Sequence, residues 1–208
     1  PDFAITLSNL GQLYTQEGKY ENSETVLLKA IEILRVNEEG NTLSYAIKLN
    51  NLAKNYIAWN QPARAIELLQ EALKIIENEL GKKAPEYATV LFNLGAANLS
   101  INPSLGYAYL KKSELARRRV LGKRHPLYAE TLEKLSQYQW KQRNKKEVNK
   151  LLKLVFENYY NQVEDFFPVL TEEEKSNLYY NKIRPSQEYF ASWVCDKSVI
   201  DAEEVGEL

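Results

Sequence analysis

The chain of 208 residues has no methionine, one cysteine (Cys195) and one histidine (His125). A single thiol excludes an internal disulfide framework and fits a reducing, cytoplasmic setting. One His and one Cys cannot furnish the ligands of a zinc site, so neither metal nor cofactor is expected. No apolar run approaches the roughly 20 residues that cross a bilayer, and the N-terminus lacks the basic-then-apolar pattern of a signal peptide. A glycine-rich phosphate loop is missing too, because Gly11 and Gly95 fall inside helical patterns. With no initiator and Pro1 directly ahead of a helix-like pattern, the sequence is expected to be a piece of a longer protein.

What is present is ordinary in bulk and ordered in detail. The chain is 44% hydrophobic and 26% charged, with a net charge of -1, which suits a globular domain and not a general binder of nucleic acid. The segment Phe3-Ala4-Ile5-Thr6-Leu7-Ser8-Asn9-Leu10-Gly11 returns as Tyr45-Ala46-Ile47-Lys48-Leu49-Asn50-Asn51-Leu52-Ala53 and as Tyr87-Ala88-Thr89-Val90-Leu91-Phe92-Asn93-Leu94-Gly95. A weaker fourth copy begins at Tyr128. The starts lie 42, 42 and 41 residues apart, and such a period marks a repeat architecture.

Each unit reads as two helices. Phe3, Leu7, Leu10, Gly11 and Tyr14 follow the 3.6-residue period and form one apolar stripe. Gly11 sits mid-stripe, where a second helix must come close, and Ala53, Gly95 and Ser136 take its place later. Turn chemistry breaks the pattern near Gly18-Lys19, Asn60-Gln61-Pro62, Asn102-Pro103 and Arg143-Asn144. In unit two the second helix presents Ala65, Leu68, Leu69, Ala72, Leu73 and Ile76. One hairpin cannot bury both of its apolar faces, so the units stack.

These residues resemble the tetratricopeptide family. The connectors Gly81-Lys82-Lys83-Ala84-Pro85-Glu86-Tyr87-Ala88 and Gly122-Lys123-Arg124-His125-Pro126-Leu127-Tyr128-Ala129 are similar to the G-x-x-H-P-x-Y-A connector of its kinesin-light-chain-like subgroup. The resemblance implies an all-α, right-handed superhelical solenoid of four helix pairs. Its units are expected at about 3–44, 45–86, 87–127 and 128–165, followed by capping helices over 166–208. The pattern weakens at Asn98, where Tyr14 and Tyr56 stand earlier, and at Lys134 and Gln139.

The C-terminal region carries 10 of the 23 aromatic residues within 154–208. The second helix of unit four is expected at about 145–165. Thr171 with Glu174 forms a capping-box signature for a further helix, which should break or kink before Pro185. Residues 170–186 also resemble the segment that joins such repeats to the protease domain of bacterial CHAT proteins. The strand–helix region that holds that family's catalytic His and Cys has no counterpart here.

No residue set argues for catalysis. His125 lies in a connector, and Cys195 follows Trp193-Val194, where a thiol behaves as a small hydrophobe. Glu38-Glu39 reads as loop and Glu172-Glu173-Glu174 as a helix start, where acids suit the macrodipole.

Binding is the expected activity. Asn9, Asn51 and Asn93 recur at mid-helix positions that disfavour Asn. The tetratricopeptide resemblance places them on the concave groove with Gln12 and Lys54. An amide there can bond the backbone of an extended peptide, or it can bond the neighbouring repeat; peptide contact is the expectation. Lys134 and Lys141 continue the stripe in unit four, so acidic ligand residues are expected toward that end. The carboxylate clamp of chaperone-tail binders is not expected, since Thr89 and Asn93 stand where it needs basic residues.

An alternative is an anionic partner or nucleic acid bound by residues 111–153, which hold 14 Lys or Arg against four Glu. Arg117, Arg118, Arg119, Lys123, Arg124, Arg143, Lys145 and Lys146 are its candidates. Few aromatics interleave with these charges, which disfavours single-stranded nucleic acid. Nothing in the sequence fixes the oligomeric state.

Overall fold

Alternation of apolar 3.6-period stretches with turn residues has produced helices throughout. The computed structural model describes residues 2–37 and 42–195. Four helical hairpins run in chain order: α1 (Asp2–Gln16) with α2 (Tyr20–Val36), α3 (Leu43–Ala58) with α4 (Pro62–Glu79), α5 (Pro85–Asn98) with α6 (Pro103–Val120), and α7 (Pro126–Lys141) with α8 (Lys145–Phe166). No strand occurs among the described residues. Two compact units result, dividing between Val120 and Leu121.

Local chemistry sets the helix ends. Proline opens α4, α5, α6 and α7, where its missing N–H is not needed and its φ is already helical. The turns inside the first, second and fourth hairpins each place one residue at positive φ: Gly18, Asn60 and Arg143. The next residue then returns its N–H to the helix, as Gln61 does to the Tyr56 carbonyl at 2.7 Å.

In the first unit the hairpins stack side by side, with α2 on α3, α4 on α5, and α1, α3 and α5 in file. One core runs through them, including Leu27, Leu34, Leu49, Leu52, Leu69, Ile76 and Leu94. Small residues sit where the helices close, as expected. A Cβ on Gly11 would lie 2.5 Å from Leu27, and one on Gly95 would lie 2.6 Å from Leu110. Phe3 departs from its expected inward place and is 57% exposed, whereas its counterpart Tyr45 is buried. Tyr45 follows α2 in the stack, whereas among the described residues no hairpin precedes α1.

The second unit is one hairpin plus the C-terminal segment. Val148 and Leu152 of α8 form a small core with Trp140, Phe156 and Tyr189. The capping box at Thr171 and Glu174 is formed and opens α9 (Glu172–Leu178). Beyond it the helix does not break before Pro185. It continues through a π-helical turn, Tyr179–Ile183, into α10 (Arg184–Cys195). Proline lacks the N–H of the regular ladder and clashes with the carbonyl four residues back; a π turn just ahead of it widens the spiral there.

Candidate functional site

The asparagine ladder was expected to face a guest, and its members divide. Asn9 is exposed. Asn51 and Asn93 are buried, and each donates to the first helix of the preceding hairpin. Asn51 Nδ2 reaches Ser8 Oγ at 3.0 Å, and Asn93 Nδ2 reaches Asn50 Oδ1 at 2.8 Å. These are rungs between successive repeats, the other of the two uses open to a mid-helix amide. They correct the picture of three asparagines aimed outward. The reason is geometric: 42 residues bring equivalent helices side by side, so an amide at the seam meets its neighbour before it meets solvent.

A second polar set lies deeper. Asn55, fully buried, donates to the Tyr20 carbonyl at 3.0 Å and accepts from Thr15 Oγ1 at 3.1 Å. Ser23 Oγ pairs with Thr15 at 2.8 Å and donates to the Gly11 carbonyl at 2.8 Å. Sequence reasoning missed this network and the partners Ser8 and Asn50. Their signal was present, since each rung joins a polar residue to the Asn 43 positions later.

The remaining groove candidates of the first unit are less enclosed. Asn9 and Lys54 are exposed and Gln12 is half-buried; Asn9 and Lys54 have no hydrogen bond or ion pair to the described residues. Between α3, α4 and α5 opens a cavity of about 260 Å³, lined by Ile47, Asn50, Ile76, Pro85, Glu86, Thr89 and Val90. Its lining is mainly aliphatic, and nothing in the sequence analysis anticipated it.

The fourth hairpin arranges its equivalent face differently. Lys134 is half-buried, its Nζ 3.5 Å from Gln137 Oε1. It lines a cavity of about 240 Å³ with Glu130, Glu133, Gln137, Tyr159, Asn181, Pro185, Ser186 and Tyr189. Glu133 accepts from Tyr159 OH at 2.7 Å and from Ser186 Oγ. Burial, then the nearby Glu133 carboxylate, raises the Tyr159 phenol above its ordinary value, and burial pushes Tyr189 up to about 12. Lys134 therefore shares its space with the chain's own C-terminal helix, while Lys141 is exposed at the end of α7.

The expected basic surface is depleted. Arg117 is 1% exposed, its guanidinium 4.3 Å from the centre of the Phe92 ring, so it belongs to the interior and not to a surface field. It is set on the face of α6 that α5 covers. Arg118 lies 3.8 Å from Glu114, and Arg124 forms a two-point contact with Asp165 at 2.9 and 3.2 Å. Arg119, Lys123, Arg143 and Lys146 are exposed and Lys145 half-buried. These residues are shared between two separately compact units.

The catalytic pairing weighed against binding fares as follows. His125 caps α7, its Nδ1 accepting from the Leu127 N–H at 3.1 Å. The side chain of Cys195 and the loop Glu38-Glu39 lie outside the described residues. Among the described residues no helix is long and apolar enough to cross a membrane, and no cluster of three or more His, Cys, Asp or Glu is placed to hold a metal.

Comparison with known proteins agrees with this architecture. Residues 2–78 match the tetratricopeptide repeat family model. Over 90 residues the chain is 32% identical to Protein KINESIN LIGHT CHAIN-RELATED 3 of Arabidopsis thaliana, a match covering 43% of this chain and 14% of that protein. The chain thus spans only a small part of this curated relative's length. Among solved structures, BtubC (BKLC) from P. vanneervenii aligns with a TM-score of 0.67 at 17% identity, covering 76% of this chain and 64% of that one. A structure of nearly identical TPR-like repeats from Podosopora anserina aligns at 0.63 and 16% identity, covering 90% and 91%. The structural likeness is one of fold: an all-α array of tetratricopeptide-type helix pairs. Arrays of this kind mediate contacts between proteins.

Proposed function

We propose that the chain is a non-catalytic protein-binding module that holds an extended peptide segment along the shared face of α1, α3 and α5. The observation that carries this is the state of that face. Asn9 and Lys54 stand exposed and uncommitted, Gln12 is half-buried, and an aliphatic cavity opens at Ile47, two turns along α3 from Lys54. Hydrogen bonds from side chains such as these contribute about 0.5–1.5 kcal/mol each, too little alone, so a side-chain pocket must supply much of the affinity. The resemblance of residues 170–186 to the CHAT linker extends the proposal: the module is the partner-binding arm of a larger, CHAT-type protease.

Titrating the ¹⁵N-labelled chain with a random nonapeptide pool tests the first statement. Shifts confined to Asn9, Gln12, Lys54, Thr89 and their neighbours are expected. Shifts on α2, α4 and α6 instead, or none, would remove it. The competing anionic-partner reading has its own signature, because binding through Lys and Arg to phosphates falls steeply with salt. Binding that loses less than threefold between 50 and 200 mM salt excludes it. No observation favours that reading over the groove, since Arg117 is buried and Arg118 and Arg124 sit beside acids.

A further inference from the structure

We infer that the cavity between α3, α4 and α5 receives one aliphatic side chain of the bound peptide, and that Lys54 pairs with an acidic residue about three positions from that anchor. This rests on the peptide-binding reading above and adds the chemistry of the ligand.

The cavity selects by its lining. Val90 and Ile76 are 1% exposed and form a floor fixed by the core. Ile47 and Thr89 are half-buried at the rim, with Pro85 and Glu86 from the first turn of α5. The polar groups in reach are few. Asn50 already accepts from Asn93 through Oδ1, and Glu86 offers only a carboxylate. An amide or hydroxyl entering here loses its water without a full set of partners, whereas a Leu, Ile or Val side chain meets carbon on most sides. A volume of about 260 Å³ accommodates one such group with its branch points.

Charge supplies the second coordinate. Lys54 lies seven residues beyond Ile47 on α3, two turns along the same face. At about 1.5 Å rise per residue the separation along the axis is about 10 Å. An extended peptide advances about 3.3 Å per residue, so about three residues bridge the cavity and Lys54. Lys54 is exposed and has no acid beside it among the described residues. Glu86 at the rim repels an acid adjacent to the anchor. The ligand class is therefore an extended peptide with an aliphatic residue, an acid three positions away and none immediately beside it.

Fluorescence polarisation with labelled Gly/Ser nonapeptides tests this. The set carries Leu with Glu three positions before or after, Ser in place of Leu, Lys in place of Glu, and Glu moved next to Leu. With the better Leu/Glu order, exchange of Leu for Ser is expected to weaken binding at least tenfold, and exchange of Glu for Lys at least fivefold. Lys54→Glu should invert the charge preference and leave the Leu preference intact. Thr89→Tyr, filling the cavity from its rim, should abolish the Leu preference and leave the charge preference; circular dichroism melts confirm that both variants fold. Equal binding of Leu and Ser peptides, or an unchanged charge preference in Lys54→Glu, overturns the inference. A random pool that binds this face without aliphatic enrichment also overturns it, while leaving the peptide-binding reading in place. Failure of every peptide to bind overturns both.

Discussion

The first hairpin pairs and the last solve one seam with different chemistry. In the first unit the position after the central leucine carries Ser8, Asn50 and Phe92; the first two each accept from an asparagine one repeat later, and Phe92 lies under the Arg117 guanidinium. In the second unit the equivalent residue is Glu133, and it gathers hydroxyls from Tyr159 of α8 and Ser186 of α10. Beside the first unit's neutral rungs Asn9 and Lys54 stay exposed. In the fourth hairpin α10 meets α7 through Ser186 on Glu133 and Tyr189 on Trp140, so the same face is partly taken.

The largest expected break lies where an added side chain in the first unit would meet only backbone. A Cβ on Gly106 would meet the backbone of α5, at 2.8 Å from Leu99 N and 2.9 Å from Gly95 O. Backbone cannot rotate away, so Gly106→Ala should destabilise the first unit by about 3 kcal/mol. Urea unfolding followed in variants keeping only Trp59 or only Trp140 separates the units. A midpoint shift at Trp59 with Trp140 unmoved is the expected result; coincident shifts would mean that the two units unfold together.

Next comes the carboxylate rung. Glu133→Ala leaves the Tyr159 hydroxyl and the buried Ser186 without their acceptor, a loss of about 2 kcal/mol. Hydrogen exchange should speed up across α10 and stay unchanged in α3 and α5. Glu133→Gln keeps an acceptor oxygen and should lose less than half as much. If α10 exchanges at the wild-type rate in Glu133→Ala, the apolar contact of Tyr189 with Trp140, whose rings are 4.9 Å apart, holds it without the rung.

The amide rungs are weaker. Asn93→Ala removes one neutral bond at a seam whose core is otherwise intact, and about 1 kcal/mol of the first unit's stability should go with it. Such variants are consequently poor probes of peptide binding, because stability and affinity would fall together; Lys54 and Thr89 are the cleaner sites. Here the limit of sequence reasoning is visible. Period, stripe and turn residues made the hairpins legible, including Gly11 and Gly95 at close approach and the capping box at Thr171. Burial of a given Asn was not legible, because it depends on which residue of the neighbouring helix lies opposite at the seam. The aliphatic cavity has contributions from three helices and no local pattern. The continuous helix across Pro185 was equally hidden, since a π turn has no composition of its own.

The smallest expected effect concerns a charge that the second pair buries at a position the other pairs leave uncharged. Lys48 is 6% exposed at the position held by Thr6, Val90 and Thr131 in the other pairs. Burial lowers its ammonium below the ordinary lysine value, and no acid is paired with it among the described residues. Lys48→Met keeps the stem and removes the charge, so it should raise stability by up to about 1 kcal/mol at pH 7. The sign of the pH dependence follows from the lowered value. Between the folded value and 10.5 the unfolded chain binds more protons, so the wild type gains stability as pH rises there. The advantage of methionine should therefore be full at pH 7 and shrink toward pH 10. Equal melting of the two proteins at pH 7 would mean that the ammonium reaches water along its flexible stem, and that this seam tolerates a charge as readily as the Thr131 seam tolerates a hydroxyl.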